Sequence, residues 1–109
     1  MTPMPESSDE FVLDRLIHEP GRLAILTVLS SVKSADFTFL QRTTQLTKGN
    51  LSSHLTKLEE GGLVKIEKTF VHKKPNTNVA LTADGKKRIA HHWDQLERLK
   101  KLSDTSTHD

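Results

Sequence analysis

The sequence predicts a mainly α-helical domain with one small β-hairpin, organised around residues 46–63. Three observations support this fold class. Apolar residues in 46–63 recur at helical spacing, residues 63–81 alternate with the period of a strand, and both flanks again show helical spacing. At 109 residues the chain has room for one domain, and the modest surface that such a domain buries favours self-association.

Residues 46–63 have the pattern of a short helix with a core side and an outward side. Leu55 and Leu58 fall within about 40° of Leu51 at 100° per residue, which predicts an apolar anchor. Small, polar and basic residues lie on the opposite side: Asn50, Ser53, Lys57. The helix is therefore expected to pack on a core with one side and to present the other side to a partner.

Capping signals define the ends of this helix and the start of the one before it. We expect Thr47 to cap the start and Gly62 to take the left-handed position beyond the end. Thr38 followed by Gln41 has capping-box spacing and opens a short preceding helix. Residues 38–60 thus predict a helix-turn-helix, a motif whose second helix enters a DNA major groove.

Two more helices are predicted ahead of this motif. Ser7 and Glu10 have capping-box spacing, and residues 11–17 supply more apolar surface than a short isolated helix covers. Pro20 suits the first turn of the next helix, in which residues 23–32 are apolar on nearly all sides. We expect the second of these helices to be the centre of the core and the first to pack on a second subunit.

A hairpin follows from Leu63 onward. Val64, Ile66 and Phe70 alternate on one face of the first strand, and a basic loop at residues 71–77 joins it to a return strand. One interpretation of this basic tip is a solvated turn with no binding role. The alternative is a contact with phosphate.

The last helix is expected to run from Thr82 to about residue 102. Its apolar residues recur at spacings of four and three, which favours a stripe for a partner over intramolecular core. The predicted dimer interface joins this stripe to the first helix: Leu13, Leu16, Ile17, Ile89, Trp93, Leu96, Leu99. The domain is then expected to span residues 7–102, with disordered ends at 1–6 and 103–109.

Charge is unevenly distributed although the net charge is only +2. Residues 42–101 carry thirteen Lys or Arg against six acids, whereas residues 1–19 carry one Arg against five acids. Clustered cations gain affinity for phosphate by releasing counterions. The basic body therefore favours a polyanionic partner.

Several classes of protein are disfavoured. With no cysteine the chain has no disulfide framework, thiolate metal site or cysteine nucleophile. No apolar run approaches about 18 residues and no secretory signal is evident, so we expect a soluble, cytoplasmic protein with no membrane partner. The six histidines show no i, i+4 pair, and no catalytic motif is found; we expect no metal, no cofactor and no enzyme activity.

The order of predicted elements resembles the winged-helix domain of bacterial and archaeal transcription regulators. Residues 37–70, which include LTKGNLSSHL and LEEGGLV, are similar to short MarR/ArsR-type regulators with a single winged-helix domain, as are KPNT at 74–77 and LTADG at 81–85. The resemblance covers about residues 12–101. It implies that the second helix of the motif reads DNA, that the hairpin is a wing on the backbone, and that the terminal helices form a two-fold dimer.

The wing and the absence of cysteine depart from this family. The tip carries histidine and lysine but no arginine, so we expect the wing to contact phosphate more than to read sequence. The cysteine-rich metal sites of many ArsR proteins are missing. An effector is therefore possible for the family but not indicated for this chain.

Candidate DNA contacts follow from the outward side of the second helix. We expect Asn50 to pair with an adenine edge, Ser53 and His54 to reach bases or phosphates, and Lys48 and Lys57 to neutralise phosphates. The wing adds three more candidates: Lys73, Lys74, Asn76. The alternative interpretation of these residues is an ordinary amphipathic surface helix beside a solvated hairpin, with no binding role.

The sequence therefore predicts a homodimeric transcriptional regulator that binds specific double-stranded DNA. The site should be an imperfect palindrome with half-sites about 34 Å apart. The alternative is a winged-helix adaptor that binds protein and has no specific DNA site. A third hypothesis, a ligand-responsive switch, requires a cavity at the dimer interface.

Overall fold

The computed structural model describes residues 14–106, with side chains to residue 103. It contains four helices: α1 Pro20–Ser30, α2 Phe37–Thr44, α3 Lys48–Glu60, α4 Ala83–Ser106. It also contains three strands: β1 Ala35–Asp36, β2 Val64–Val71, β3 Lys74–Leu81. The predicted fold class, mainly α with a small β-hairpin, is confirmed.

Helix α1 forms the centre of the core, as predicted. Glu19 caps it by accepting a hydrogen bond from the Arg22 amide at 2.8 Å, and Pro20 fills the first turn, where an amide proton is not needed. Ile25 and Leu26 are fully buried in the middle of the helix. Because α2, α3 and β3 all contact α1, this helix supports the helix-turn-helix.

Helix α2 begins earlier than the sequence suggested. Asp36, rather than Thr38, caps it by accepting a hydrogen bond from the Phe39 amide at 2.7 Å. Leu40 is buried, whereas its neighbour Phe39 is 46 % exposed. Successive residues of a helix point about 100° apart, so Phe39 and Leu40 cannot both face the core. Gln45 ends the helix in a left-handed conformation with φ 62°.

Both predicted ends of α3 are confirmed. Thr47 accepts a hydrogen bond from the Asn50 amide at 3.1 Å at the start. At the other end Gly62 has a φ of 79°, and the Leu63 amide donates to the Leu58 carbonyl at 2.9 Å. This is the Schellman arrangement, in which a left-handed glycine allows the chain to turn back on the helix. The chain thereby leaves α3 directly into β2.

The sheet has three antiparallel strands in the order β1-β3-β2. The hairpin predicted from the sequence is confirmed, and β1 adds a short third strand in which Ala35 pairs with Val79. Val64 and Val79 are buried at the base of the hairpin, whereas β2 is exposed from Glu67 to Val71. The base therefore belongs to the core and the tip projects from it.

The segment before α1 folds differently from the expectation. From Asp14 it forms a turn, in which the Asp14 carbonyl accepts hydrogen bonds from the amides of Ile17 and His18; a helix was expected to reach Ile17. The segment is joined to α4 by an Asp14–Arg88 ion pair at 2.9 Å and by a hydrogen bond between the rings of His18 and His92 at 3.3 Å. These contacts hold the segment before α1 against α4.

Helix α4 runs to Ser106, beyond the expected end near residue 102. Ile17 and Ile89, two of the residues predicted for a dimer interface, are buried in the chain's own core, where intramolecular packing covers both side chains. Leu13 lies outside the described residues. None of the helices in the described range combines the length and apolarity that a membrane span requires.

Candidate nucleic-acid interface

The outward side of α3 is open to solvent. It carries the following exposed residues: Lys48, Gly49, Asn50, Ser53, Lys57. Within the described residues, their side chains form no hydrogen bond and no ion pair. A Cβ added at Gly49 would meet no atom within 4 Å. This surface therefore lets another molecule approach the α3 backbone closely and offers it uncommitted polar groups.

The opposite side of α3 is fixed in the core. Leu51, Leu55 and Leu58 are all buried, as predicted. Each side chain also makes the dispersion contacts of a close-packed interior. The three leucines hold the helix axis at one angle to α1, and the angle of the outward polar side follows from it.

His54 does not belong to the outward side, where the sequence pattern had predicted it. Its side chain is 17 % exposed, its Nδ1 lies 3.2 Å from Arg22 Nη1, and its Nε2 lies 3.7 Å from Glu19 Oε1. The helical wheel contained a signal for this, because His54 lies only about 60° from Leu51. We therefore assign His54 to positioning α3 rather than to contacting bases.

The start of α1 is shaped to receive this histidine. A Cβ at Gly21 would lie 2.6 Å from His54 Nε2, so only glycine permits this approach without a shift. Arg22 also donates from Nε to the Leu16 carbonyl at 2.6 Å, which joins α3 to the segment before α1. The hydrogen bond from the Arg22 amide lowers the pKa of Glu19; partial burial opposes this shift, and His54 adds to it.

The wing ends in a tight two-residue turn. Val71 pairs with Lys74, which leaves His72 and Lys73 as the turn residues, with φ values of 52° and 66°. Two successive left-handed residues match the type I′ turn that suits the twist of a hairpin. Lys73 and Lys74 are exposed at this tip. The predicted loop at 71–77 is therefore mostly strand, because the strands continue to pair up to the turn.

Asn76 occupies a different place from the one expected. It lies in β3 opposite Thr69 and is half-buried. Its distance from the turn separates it from the two tip lysines along the strand. Among the predicted wing residues, the structure brings together Lys73 and Lys74 and leaves Asn76 on the shaft of the hairpin.

A groove of about 240 Å³ separates α3 from the wing. Its polar lining residues were not among the predicted site residues: Ser52, Thr56, Lys68, Thr77. The strand alternation contained a signal for Lys68, since it shares the face of Ile66. No local sequence pattern indicates that α3 and the wing face each other across this groove, because only the tertiary fold brings them together.

The apolar residues of α4 fall into two groups. Ile89, near the start, is buried in the core. Further along, Trp93 is 38 % exposed, and Leu96 and Leu99 are half-buried. An open cavity of about 530 Å³ lies beside Trp93, between the end of α1, β3 and α4. The second group therefore remains available for a contact between chains.

The described residues contain no group of three or more His, Asp or Glu side chains placed to hold a metal ion. The rings of His18 and His92 are close together. Burial in the core lowers the pKa of His92, and the neighbouring His18 adds to this shift. This pair is accordingly a structural contact between the segment before α1 and α4.

A helix-turn-helix whose second helix presents a free polar side, followed by a projecting basic hairpin, defines the class of winged helix-turn-helix proteins. Residues 22–100 match the protein family described as "Winged helix DNA-binding domain". The chain belongs to this family. The family consists of transcriptional regulators rather than enzymes, and the fold is that of the MarR type.

Individual relatives agree with this assignment. The chain is 31 % identical over 87 residues to the uncharacterized protein MJ0432 of Methanocaldococcus jannaschii, covering 80 % of this chain and 95 % of that protein. It is also 31 % identical to a solved transcriptional regulator homologue from Pyrococcus horikoshii OT3, with a TM-score of 0.82 and coverage of 92 % and 99 %. A MarR-family regulator from Silicibacter pomeroyi shares the fold at 22 % identity, with a TM-score of 0.64 and coverage of 76 % and 55 %.

Proposed function

We propose that the protein binds specific double-stranded DNA as a homodimer and thereby regulates transcription. The observation that carries this proposal is the outward side of α3, where uncommitted polar and basic side chains surround an open glycine. An α-helix fits the major groove, and base edges there are distinguished by their hydrogen-bonding pattern. Helix α3 then reads bases while the wing contacts the flanking backbone.

The predicted contact residues of α3 have separate roles in this arrangement. Asn50, in the first turn, forms a pair of hydrogen bonds with an adenine edge, and Ser53 lies one turn further along the same side. Lys48 and Lys57 contact phosphates near the two ends of the helix. His54 contributes indirectly, because its contacts with α1 hold the helix at the angle that the other side chains need.

The groove between α3 and the wing fits the phosphodiester strand that separates a major from a minor groove. Ser52 supplies a hydroxyl donor from α3, and Lys68 supplies a cation from the wing. Such contacts fix register on the duplex without carrying sequence information. The tip residues Lys73 and Lys74 extend this backbone contact beyond the groove.

The dimer is proposed to form along α4. At 24 residues this helix is about 36 Å long at 1.5 Å per residue. Its second half presents Trp93, Leu96 and Leu99 to solvent in one chain, and aromatic residues are typical of interface centres. A two-fold axis along this stripe would place two copies of α3 in successive major grooves about 34 Å apart.

Selection of bound duplexes from a random pool tests the proposal directly. We expect an enriched imperfect palindrome with half-site centres about 10 base pairs apart. A pool without enrichment, together with no detectable binding to random duplex at low salt, would reject DNA binding and favour a protein-binding adaptor.

A double substitution, Trp93→Ala with Leu99→Ala, tests the dimer separately. We expect a monomer by sedimentation that still selects a single half-site, because both residues lie on α4, outside the helix-turn-helix. The matched control is Glu97→Ala, on an exposed position of the same helix, which should leave the dimer intact. A double variant that remains dimeric would move the interface away from this stripe.

A further inference from the structure

The tip of the wing carries an exposed aromatic ring that phosphate contact alone does not explain. Phe70 is 75 % exposed, more than any other large hydrophobic residue of the described chain. Its neighbour Val71 is also exposed. The sequence pattern predicts Phe70 on the same face of β2 as Val64 and Ile66; the alternation is correct, but the strand extends beyond the core before it reaches Phe70.

The surroundings of Phe70 are cationic. The eight residues 68–75 contain Lys68, Lys73 and Lys74 and no Asp or Glu. The nearest acid along the strand, Glu67, lies 3.6 Å from the Lys65 ammonium group and is partly neutralised by it. An apolar ring surrounded by lysines is complementary to a partner that has negative charge along its edges and apolar surface between them. Stacked bases between two phosphodiester strands have this character.

The register of the hairpin fixes the position of the Phe70 ring relative to the groove beside α3. Phe70 pairs with Pro75 and, by alternation, shares its face with Lys68, which lines the groove beside α3. Two residues of strand span about 7 Å, and the minor groove is about 6 Å wide. When Lys68 meets the phosphodiester strand between the two grooves, Phe70 lies over the minor groove beyond it.

We infer that Phe70 is a wedge that inserts from the minor groove into a base step flanking the site read by α3. This inference rests on the proposed DNA binding. Apolar side chains that enter the minor groove unstack a step and kink the duplex, and pyrimidine–purine steps such as TA and CA/TG deform most readily. The wing then selects sequence through deformability, without an arginine and without hydrogen bonds to bases.

Parallel selections from one random pool, with the wild-type chain and with Phe70→Ala, test the inference and require no defined binding site at the outset. We expect the wild-type chain to enrich a pyrimidine–purine step at a fixed distance outside each half-site, and Phe70→Ala to select the same palindrome without that step. Phe70→Leu, which keeps an apolar wedge, should retain part of the preference. Thr69→Ala, an exposed neighbour on the other face of β2, should behave as wild type.

Binding to defined duplexes gives the expected size of the effect. On a duplex flanked by TA, Phe70→Ala should bind about 5- to 150-fold more weakly than wild type, the range found when an aromatic residue that stacks on a base is removed. On a duplex flanked by a stiff A-tract the two should differ little. A 2-aminopurine base at the TA step should brighten when wild type binds, because unstacking relieves its quenching, and should not do so with Phe70→Ala. Thermal unfolding should be unchanged, since the ring is exposed.

The outcomes separate this inference from the proposed function. The wedge is rejected and DNA binding stands if wild type selects a palindrome without a flanking step and Phe70→Ala binds each duplex as tightly as wild type does. If wild type enriches no DNA, the proposed function fails and the wedge with it. If Phe70→Ala alters the sedimentation of the free protein but not its DNA affinity, the ring belongs to a protein contact and the wedge is rejected.

Discussion

Helix α3 and the tip of the wing face the same proposed ligand but are held in opposite ways. The helix is fixed by three buried leucines, by caps at both ends and by the contacts of His54 with α1. The tip is held by its strand ladder and by a turn in which His72 and Lys73 have positive φ. A firmly held helix beside a hairpin with few supporting contacts suits a site at which α3 reads base identity in the major groove and the wing reads shape in the minor groove.

The anchored helix should respond most strongly when its core side is reduced. We expect Leu51→Ala to lower the free energy of unfolding by about 2–5 kcal/mol, because it removes buried methyl groups and leaves a cavity. Chemical denaturation measures this change. Ser53→Ala, on the exposed side of the same helix, should change stability by less than about 0.5 kcal/mol. Equal losses for the two variants would contradict the division of α3 into a core side and an outward side.

The reading side of the helix should affect affinity rather than folding. Asn50→Ala is expected to cost about 1–3 kcal/mol on the selected site and to relax the preference at one base position, since its paired hydrogen bonds are lost. Titration of the selected duplex and of variants at each base position provides the measurement. A similar loss on random duplex would show that Asn50 contacts backbone instead.

The tip should contribute charge without sequence preference. Lys73→Ala combined with Lys74→Ala should weaken binding to all duplexes alike and reduce the slope of log K against log salt by about 1.8, or 0.9 for each phosphate contact. Affinities at several salt concentrations test this. Lys33→Ala, an exposed lysine between α1 and β1, is the control and should leave the slope unchanged. An unaltered slope in the double variant would remove the wing from the DNA contact.

Gly49→Ala should separate stability from binding on α3. Space is open at this position, and alanine is the better helix former, so we expect a gain of about 0.5–1 kcal/mol in the free energy of unfolding. The added methyl group stands between the backbone and the duplex, so DNA affinity should fall. Thermal melts and duplex titrations on one sample test both parts. A gain in stability with unchanged affinity would show that α3 does not approach DNA at its first turn.

The smallest effect is expected from the acid that supports His54. Because the folded chain has a lowered pKa for Glu19, its carboxylate contributes stability that is present above the usual value of 4.5 and is lost as the pH falls through the lowered value. Glu19→Gln should therefore flatten the acid side of the stability profile measured by denaturation between pH 6 and pH 3. Glu97→Gln, on the exposed surface of α4, should not. An unchanged profile for Glu19→Gln would remove this contact from the support of α3.

The elements of this fold were predictable where local rules act. The caps of α3, its leucine side, the opening of α1 at Pro20 and the basic hairpin all depend on a few neighbouring residues, and each is confirmed. The start of α2 was misplaced because Asp36 and Thr38 are both good caps, and only the pairing of β1 with β3 selects the first. The wing loop was predicted too long because a two-residue turn without glycine or asparagine has no clear sequence signal.

By itself the sequence determined which residues alternate, which ones cap, and that a basic helix-turn-helix and hairpin adjoin each other, because these properties depend on periods of 3.6 and 2 and on short-range hydrogen bonds. The tertiary structure alone decided which apolar positions are covered. Ile17 and Ile89 entered the chain's own core, and Phe70 was carried beyond it. Burial depends on contacts between residues far apart in sequence, and no local pattern contains that information.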